Sequence, residues 1–125
     1  MTRRFTFPDT DQGRLWFWYG YLALARRGDP AQGTKQSKAD HRSEAKIVRA
    51  LNAISEPLPG SVPPLAGMPD NRVRGLKTGA WVIALEQPDF KRLQDYLEAT
   101  QWDATLTADL ADLQDALETA EKIEP

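Results

Sequence analysis

The residues best able to do chemistry are few and poorly grouped. His41 is the only histidine; it sits beside Asp40 and three residues before Glu44, in a stretch that reads as helix. A catalytic triad needs a nucleophile, a base and an orienting group brought together in space. His41 falls off the apolar face of its helix, so it reads as an exposed side chain, and no catalytic residue is assigned. Asp109, Asp112 and Asp115 recur every third residue. On a helix that spacing fans the carboxylates around the axis instead of converging them on an ion, and the glycine-centred order of an EF-hand loop is missing. The chain has no cysteine, which excludes disulfides and thiolate metal sites. The segment Gly33–Lys35 lacks the spaced glycine and the leading strand of a phosphate loop, and no GxGxxG occurs. The expectation is therefore a non-enzyme with no metal and no cofactor.

Three other groupings point to binding. Lys35, Lys38, Arg42, Lys46 and Arg49 fall within roughly 80° of arc on one helix, opposite its apolar face. Such a face suits phosphates, with salt-dependent affinity, or an acidic protein surface; as an ordinary solvated face it needs neither. Trp16, Phe17, Trp18 and Tyr19 run consecutively and Tyr21 follows. A helix apolar all round must be covered all round, so these rings are either the hub of a core or half of an interface, with Trp16, Trp18, Tyr19 and Tyr21 as candidate anchors. Base stacking would need arginines interleaved among the rings, and none are. Leu106, Leu110, Leu113 and Leu117 stripe an acidic last helix and could dock on the domain core or on another subunit.

The elements that must position these groups follow from periodicity and punctuation. Arg3–Phe7 alternates as a short strand stopped by Pro8. Asp9 and Gln12 resemble a capping box opening a helix over Thr10–Arg27, ended by Arg26, Arg27, Gly28 and Pro30; the rival reading is a buried strand over Leu15–Leu24. Ser37 to Asp40 is a second capping box, opening a helix that runs to about Ser55, with Ile47, Leu51 and Ile54 inward. A proline-rich connection at 57–71 follows. Residues 72–86 read as a β-hairpin about Lys77-Thr78-Gly79, its second strand apolar on both faces and so expected to be covered on both. Phe90, Leu93 and Leu97 then form a helical stripe. The leucine stripe from Leu106 would lie roughly 160° away on one straight helix, so a break near Trp102-Asp103, capped by Asp103 or Thr105, is expected to give an αα-hairpin.

The 125 residues suggest one domain. Hydrophobic residues make up 41% and charged residues 27%, an ordinary globular balance. The net charge of −2 favours neither nucleic acid nor membrane, but its distribution is uneven: residues 1–50 carry ten Lys/Arg against five Asp/Glu, and residues 78–125 carry three against eleven. That polarity suggests association between the two halves, within one molecule or between two. No apolar run follows Arg3 and Arg4, so no signal peptide is read. The apolar run Leu15–Ala25 is about half of the roughly 20 residues a membrane span needs. A cytoplasmic location is the expectation.

The stretch AWVIALEQPDFKRLQDYLEATQW, Ala80–Trp102, with a strand ending in Leu-Glu and then a Phe-x-x-Leu helix, resembles small accessory proteins of tailed phages and prophages. It covers about 23 residues and brings no catalytic motif. The overall expectation is an α+β domain: a small antiparallel sheet with about four helices, ending in an αα-hairpin. It would act as a protein-interaction module, an assembly component or inhibitor that binds another protein or a second copy of itself. The alternative is a nucleic-acid-binding regulator using the basic face.

Overall fold

A computed structural model describes residues 1–26, 37–60, 74–77, 81–100 and 102–123. The chain is an α+β fold. Strand β1 (Thr2–Thr6) lies between β4 (Val82–Glu86) and β5 (Glu121–Ile123) in an antiparallel sheet of order β4-β1-β5. Phe5 is opposite Ile83, Arg3 opposite Leu85, and Arg4 opposite both Ala84 and Glu121. The two-residue period sends Arg3, Phe5, Ile83 and Leu85 inward and leaves Arg4, Thr6, Val82 and Ala84 exposed.

Both strands expected within 72–86 form, but they do not pair with each other. Strand β3 (Arg74–Leu76) pairs instead with β2 (Ser55–Pro57), and β4 pairs with β1. The cause is side-chain chemistry remote in sequence. Arg74 donates to the Ser55 hydroxyl and carbonyl, both at 2.9 Å, while Ile83 and Leu85 need the apolar face that Phe5 begins. The expected turn at residues 77–79 lies mostly outside the described residues. Strand β4 is an edge strand with Val82 and Ala84 exposed, so the expected cover on both faces is not observed.

Helix α1 (Asp11–Arg26) settles the helix-or-strand alternative in favour of helix. Its opening differs from the expected box at Asp9: the Thr10 hydroxyl accepts the Gly13 N–H at 3.3 Å. The expected stop signal at Gly28 lies outside the described residues. Helix α2 (Lys38–Ala53) starts with the expected reciprocal box. Asp40 N–H donates to the Ser37 hydroxyl at 3.1 Å, and Ser37 N–H to the Asp40 carboxylate at 2.9 Å. Helix α3 (Gln87–Ala99) ends at Thr100, whose N–H and hydroxyl both donate to the Tyr96 carbonyl. The break falls where the two stripes required it. Trp102 folds back and donates its indole N–H to the Leu97 carbonyl at 3.0 Å, and Asp103 caps a short 3₁₀ turn (Ala104–Leu106) that leads into α4 (Thr107–Glu118). With the stripes redirected, Phe90, Leu93 and Leu97 join Leu110, Leu113 and Leu117 in one hydrophobic core with Phe5, Phe7, Phe17, Ile47 and Ile83.

Among the described residues no helix is long and apolar enough to cross a membrane.

Candidate functional site

The aromatic segment divides by helical angle. At about 100° per residue, Trp16, Phe17, Tyr19, Ala23 and Leu24 fall on the arc of α1 that faces the core, and all are buried. Trp16 lies 6.3 Å from Phe5 and Phe17 lies 6.1 Å from Phe7, ring centre to ring centre, which fastens α1 to β1 and the residues just after it. Two of the four candidate anchors, Trp16 and Tyr19, are thus core residues, exposed by 7% and 0%. Tyr21 is half-buried and stacks on Phe17 at 5.8 Å. Trp18 is 43% exposed.

Trp18 is not isolated. Leu15 and Leu22 on the same side are half-buried and Ala25 is exposed, so the open face of α1 reads Leu15, Trp18, Leu22, Ala25. Those positions are spaced three, four and three, the a/d spacing of a heptad seam. No charged residue falls between Arg14 and Arg26. Trp102 extends the patch: its ring lies 6.4 Å from Trp18 and 5.2 Å, edge-on, from Tyr19.

Helices α2 and α4 flank this face. On one side Tyr21, Leu24 and Ala25 meet Glu44 and Val48 of α2 around a cavity of about 300 Å³. Lys38, Arg42 and Arg49 lie on the far side of α2, toward Lys46, all exposed and without an ion pair among the described residues. On the other side lies α4. Burial first, and the Asp109 carboxylate second, raise the Tyr19 phenol above its usual range. Asp109, Asp112, Asp115 and Glu118 have no cationic partner among the described residues.

The expected basic face is therefore only partly free. Lys46 reaches Asp89 of α3 at 3.8 Å, and Lys35 lies outside the described residues. Helix α2 is tied to α3, not to the acidic α4. Arg92 pairs with Asp40 at 2.8 Å and donates to the Ser43 hydroxyl at 2.9 Å, and Ser43 donates to Asp89 at 2.6 Å. The Ser37 backbone, then the Ser37 side chain and Arg92, hold the Asp40 carboxyl below its usual range. This engages the acid next to His41, which is itself exposed. The leucine stripe is spent internally: Leu110, Leu113 and Leu117 are buried in the chain's own core and Leu106 is half-buried against it. No group of three or more metal-ligating side chains occurs among the described residues.

Sequence reasoning missed Leu15, Leu22, Ala25 and Trp102. The three-four-three spacing in α1 was a readable signal. Trp102 had none, because its place depends on the chain reversing after α3.

No family model matches this chain, and no curated protein or solved structure is similar to it.

Proposed function

We propose that this chain is a non-enzymatic protein-interaction module, an assembly component or inhibitor, that docks through the open face of α1 with Trp18 as its anchor. The observation that supports it is Trp18 itself: a large ring, 43% exposed, set in an apolar stripe and bordered by Trp102. Tryptophan is the side chain most enriched at the energetic centres of interfaces, because it buries much area while ordering few torsions. Asp109 and Asp112 on α4, with no cationic partner among the described residues, supply part of the polar rim that orients such a contact.

The test is association measured for Trp18→Ala beside Trp16→Ala. Trp18→Ala should keep the far-UV dichroism of the parent and lose binding by tenfold or more, whereas Trp16→Ala should lower stability. A Trp18→Ala variant that unfolds, or that associates as the parent does, overturns the reading.

A second reading draws on Lys38, Arg42 and Arg49, which could contact phosphates. The net charge of −2 and the engagement of Lys46 by Asp89 weigh against it. Lys38→Glu with Arg42→Glu would abolish salt-sensitive binding to nucleic acid if this reading held; no binding of any duplex or single strand at low salt would end it.

A further inference from the structure

We infer that the free edge of β4 takes an extended segment of a partner protein as a further strand, one with acidic side chains turned toward Lys46 and Arg49 of α2. This is a second surface, independent of the α1 face.

The register opens the edge. At the two ends of the β1–β4 ladder the Phe7 N–H donates to the Trp81 carbonyl at 2.8 Å and the Gln87 N–H to the Met1 carbonyl at 2.9 Å. Bonded pairs alternate along an antiparallel ladder, so Ile83 and Leu85 turn their main chain to β1 while Val82 and Ala84 turn theirs outward. Those outward N–H and C=O groups have no partner among the described residues, and both side chains are exposed. Sheet edges are ordinarily blunted by brevity, lysine or proline. The opposite edge, β5, is blunted in this way, with three residues and Lys122 at its centre. Strand β4 has five residues and neither lysine nor proline. Such an edge is a template for strand addition, in which main-chain bonds give affinity and flanking side chains choose the partner.

The flanking charge names that partner. Helix α2 packs against β4, with Ile47 and Leu51 in one core with Ile83 and Leu85. Lys46 and Arg49, on the side of α2 away from α1, line a cleft of about 300 Å³ with Ala84, Leu85 and Glu86. The carboxylates in that cleft are already engaged. Glu86 accepts the Thr2 hydroxyl at 3.0 Å; Asp89 accepts the Ser43 hydroxyl at 2.6 Å and meets Lys46 at 3.8 Å. Arg49 has no ion pair among the described residues, nor has Arg42, two turns before it on the same side. A strand laid along β4 therefore runs past uncompensated positive charge. Carboxylates on that strand satisfy it, whereas a second copy adding its own β4 brings another Arg49 to the same seam.

The probe is an end-blocked hexapeptide of alternating glutamate and valine, followed by amide hydrogen exchange of the full chain at low salt (~50 mM). The Val82 and Ala84 amides should slow by about tenfold or more, while those of Ile83 and Leu85, already bonded to β1, change little. The same peptide with lysine in place of glutamate should give no protection. Arg42→Glu with Arg49→Glu should keep the fold and weaken the acidic peptide by about tenfold or more. Ala84→Pro removes an N–H that bonds nothing among the described residues; it should melt near the parent and lose the peptide. Trp18→Ala should bind the peptide as the parent does. Unprotected Val82 and Ala84, equal protection by the lysine peptide, or binding that survives the charge reversal or a folded Ala84→Pro overturns the inference. Binding lost with Trp18→Ala also overturns it, by placing the peptide on the α1 face. So does protection that grows with protein concentration alone, which assigns the edge to a second copy, or protection by single-stranded nucleic acid in place of the peptide. If Ala84→Pro fails to fold, exchange in the parent and the charge-reversed variant decides.

Discussion

Arg3 Nη2 lies 3.0 Å from the main-chain carbonyl of Leu117, so the first strand of the sheet is fastened to the end of the last long helix. The same nitrogen donates to the Glu118 carbonyl at 3.0 Å, Nη1 reaches Gln87 Oε1 at 3.2 Å, and the guanidinium lies over the Phe90 ring at 4.7 Å. A buried cation is costly unless hydrogen-bonded. Here it meets carbonyls at a helix C-terminus, where the peptide dipoles also favour positive charge. Arg3→Met keeps the apolar stem and loses these bonds. It should cost about 2–3 kcal/mol, the range for hydrogen bonds to charged groups, read from urea midpoints. Arg3→Lys should recover little of it, since one ammonium cannot reproduce the planar fork. A Lys variant as stable as the parent would sink this account.

Gly13 and Gly20 lie two turns apart on α1 and should respond in opposite directions. A Cβ built on Gly13 would sit 1.8 Å from the Pro8 carbonyl oxygen, a backbone atom that cannot step aside. Gly13→Ala should therefore displace the 7–10 turn and lower stability. A Cβ on Gly20 meets nothing within 4 Å. Gly20→Ala should raise stability by about 1 kcal/mol through helix propensity. Thermal melts of the two variants check both signs.

Tyr19 is buried but its hydroxyl has no hydrogen-bond partner among the described residues. Replacing an unsatisfied buried polar group by hydrogen removes a desolvation cost at no loss of contact. Tyr19→Phe should thus be neutral or up to about 1 kcal/mol stabilising, in contrast to Trp16→Ala, for which a loss of about 3–5 kcal/mol is expected of a buried aromatic. Chemical denaturation measures both; a Tyr19→Phe variant well below the parent would reveal a bond for that hydroxyl.

Asp40 ties the α2 cap to α3 through Arg92, and its carboxyl is held below the usual value of 3.8. A carboxyl depressed in the folded state contributes stability above its unfolded value and loses it as pH falls through the folded one. The parent should weaken below about pH 4, and Asp40→Asn should flatten that acid limb while starting less stable at neutral pH. Urea midpoints between pH 2 and 7 decide, and parallel profiles for the two proteins would remove Asp40 from the acid response.

Much of this architecture is legible in local chemistry. The Ser37–Asp40 box, the break at Trp102–Asp103 and the alternation of β1 each depend on residues within one or two turns of each other, so the sequence alone determined α2 and its cap, the break between α3 and α4 and the α+β class. The pairing of strands could not be read in the same way. Residues 74–76 and 82–86 are close enough for a hairpin, yet Arg74 is drawn to Ser55 and Ile83 to Phe5, partners far along the chain. The docking face is a second case. The segment Leu15–Ala25 has no polar side, so nothing within it marks which rings are covered. Only the tertiary structure decided that Trp16 and Tyr19 serve the core while Trp18 stays open. The physical reason is that β1, α3 and the reversed Trp102 enclose one arc of α1, leaving uncovered the arc between α2 and α4.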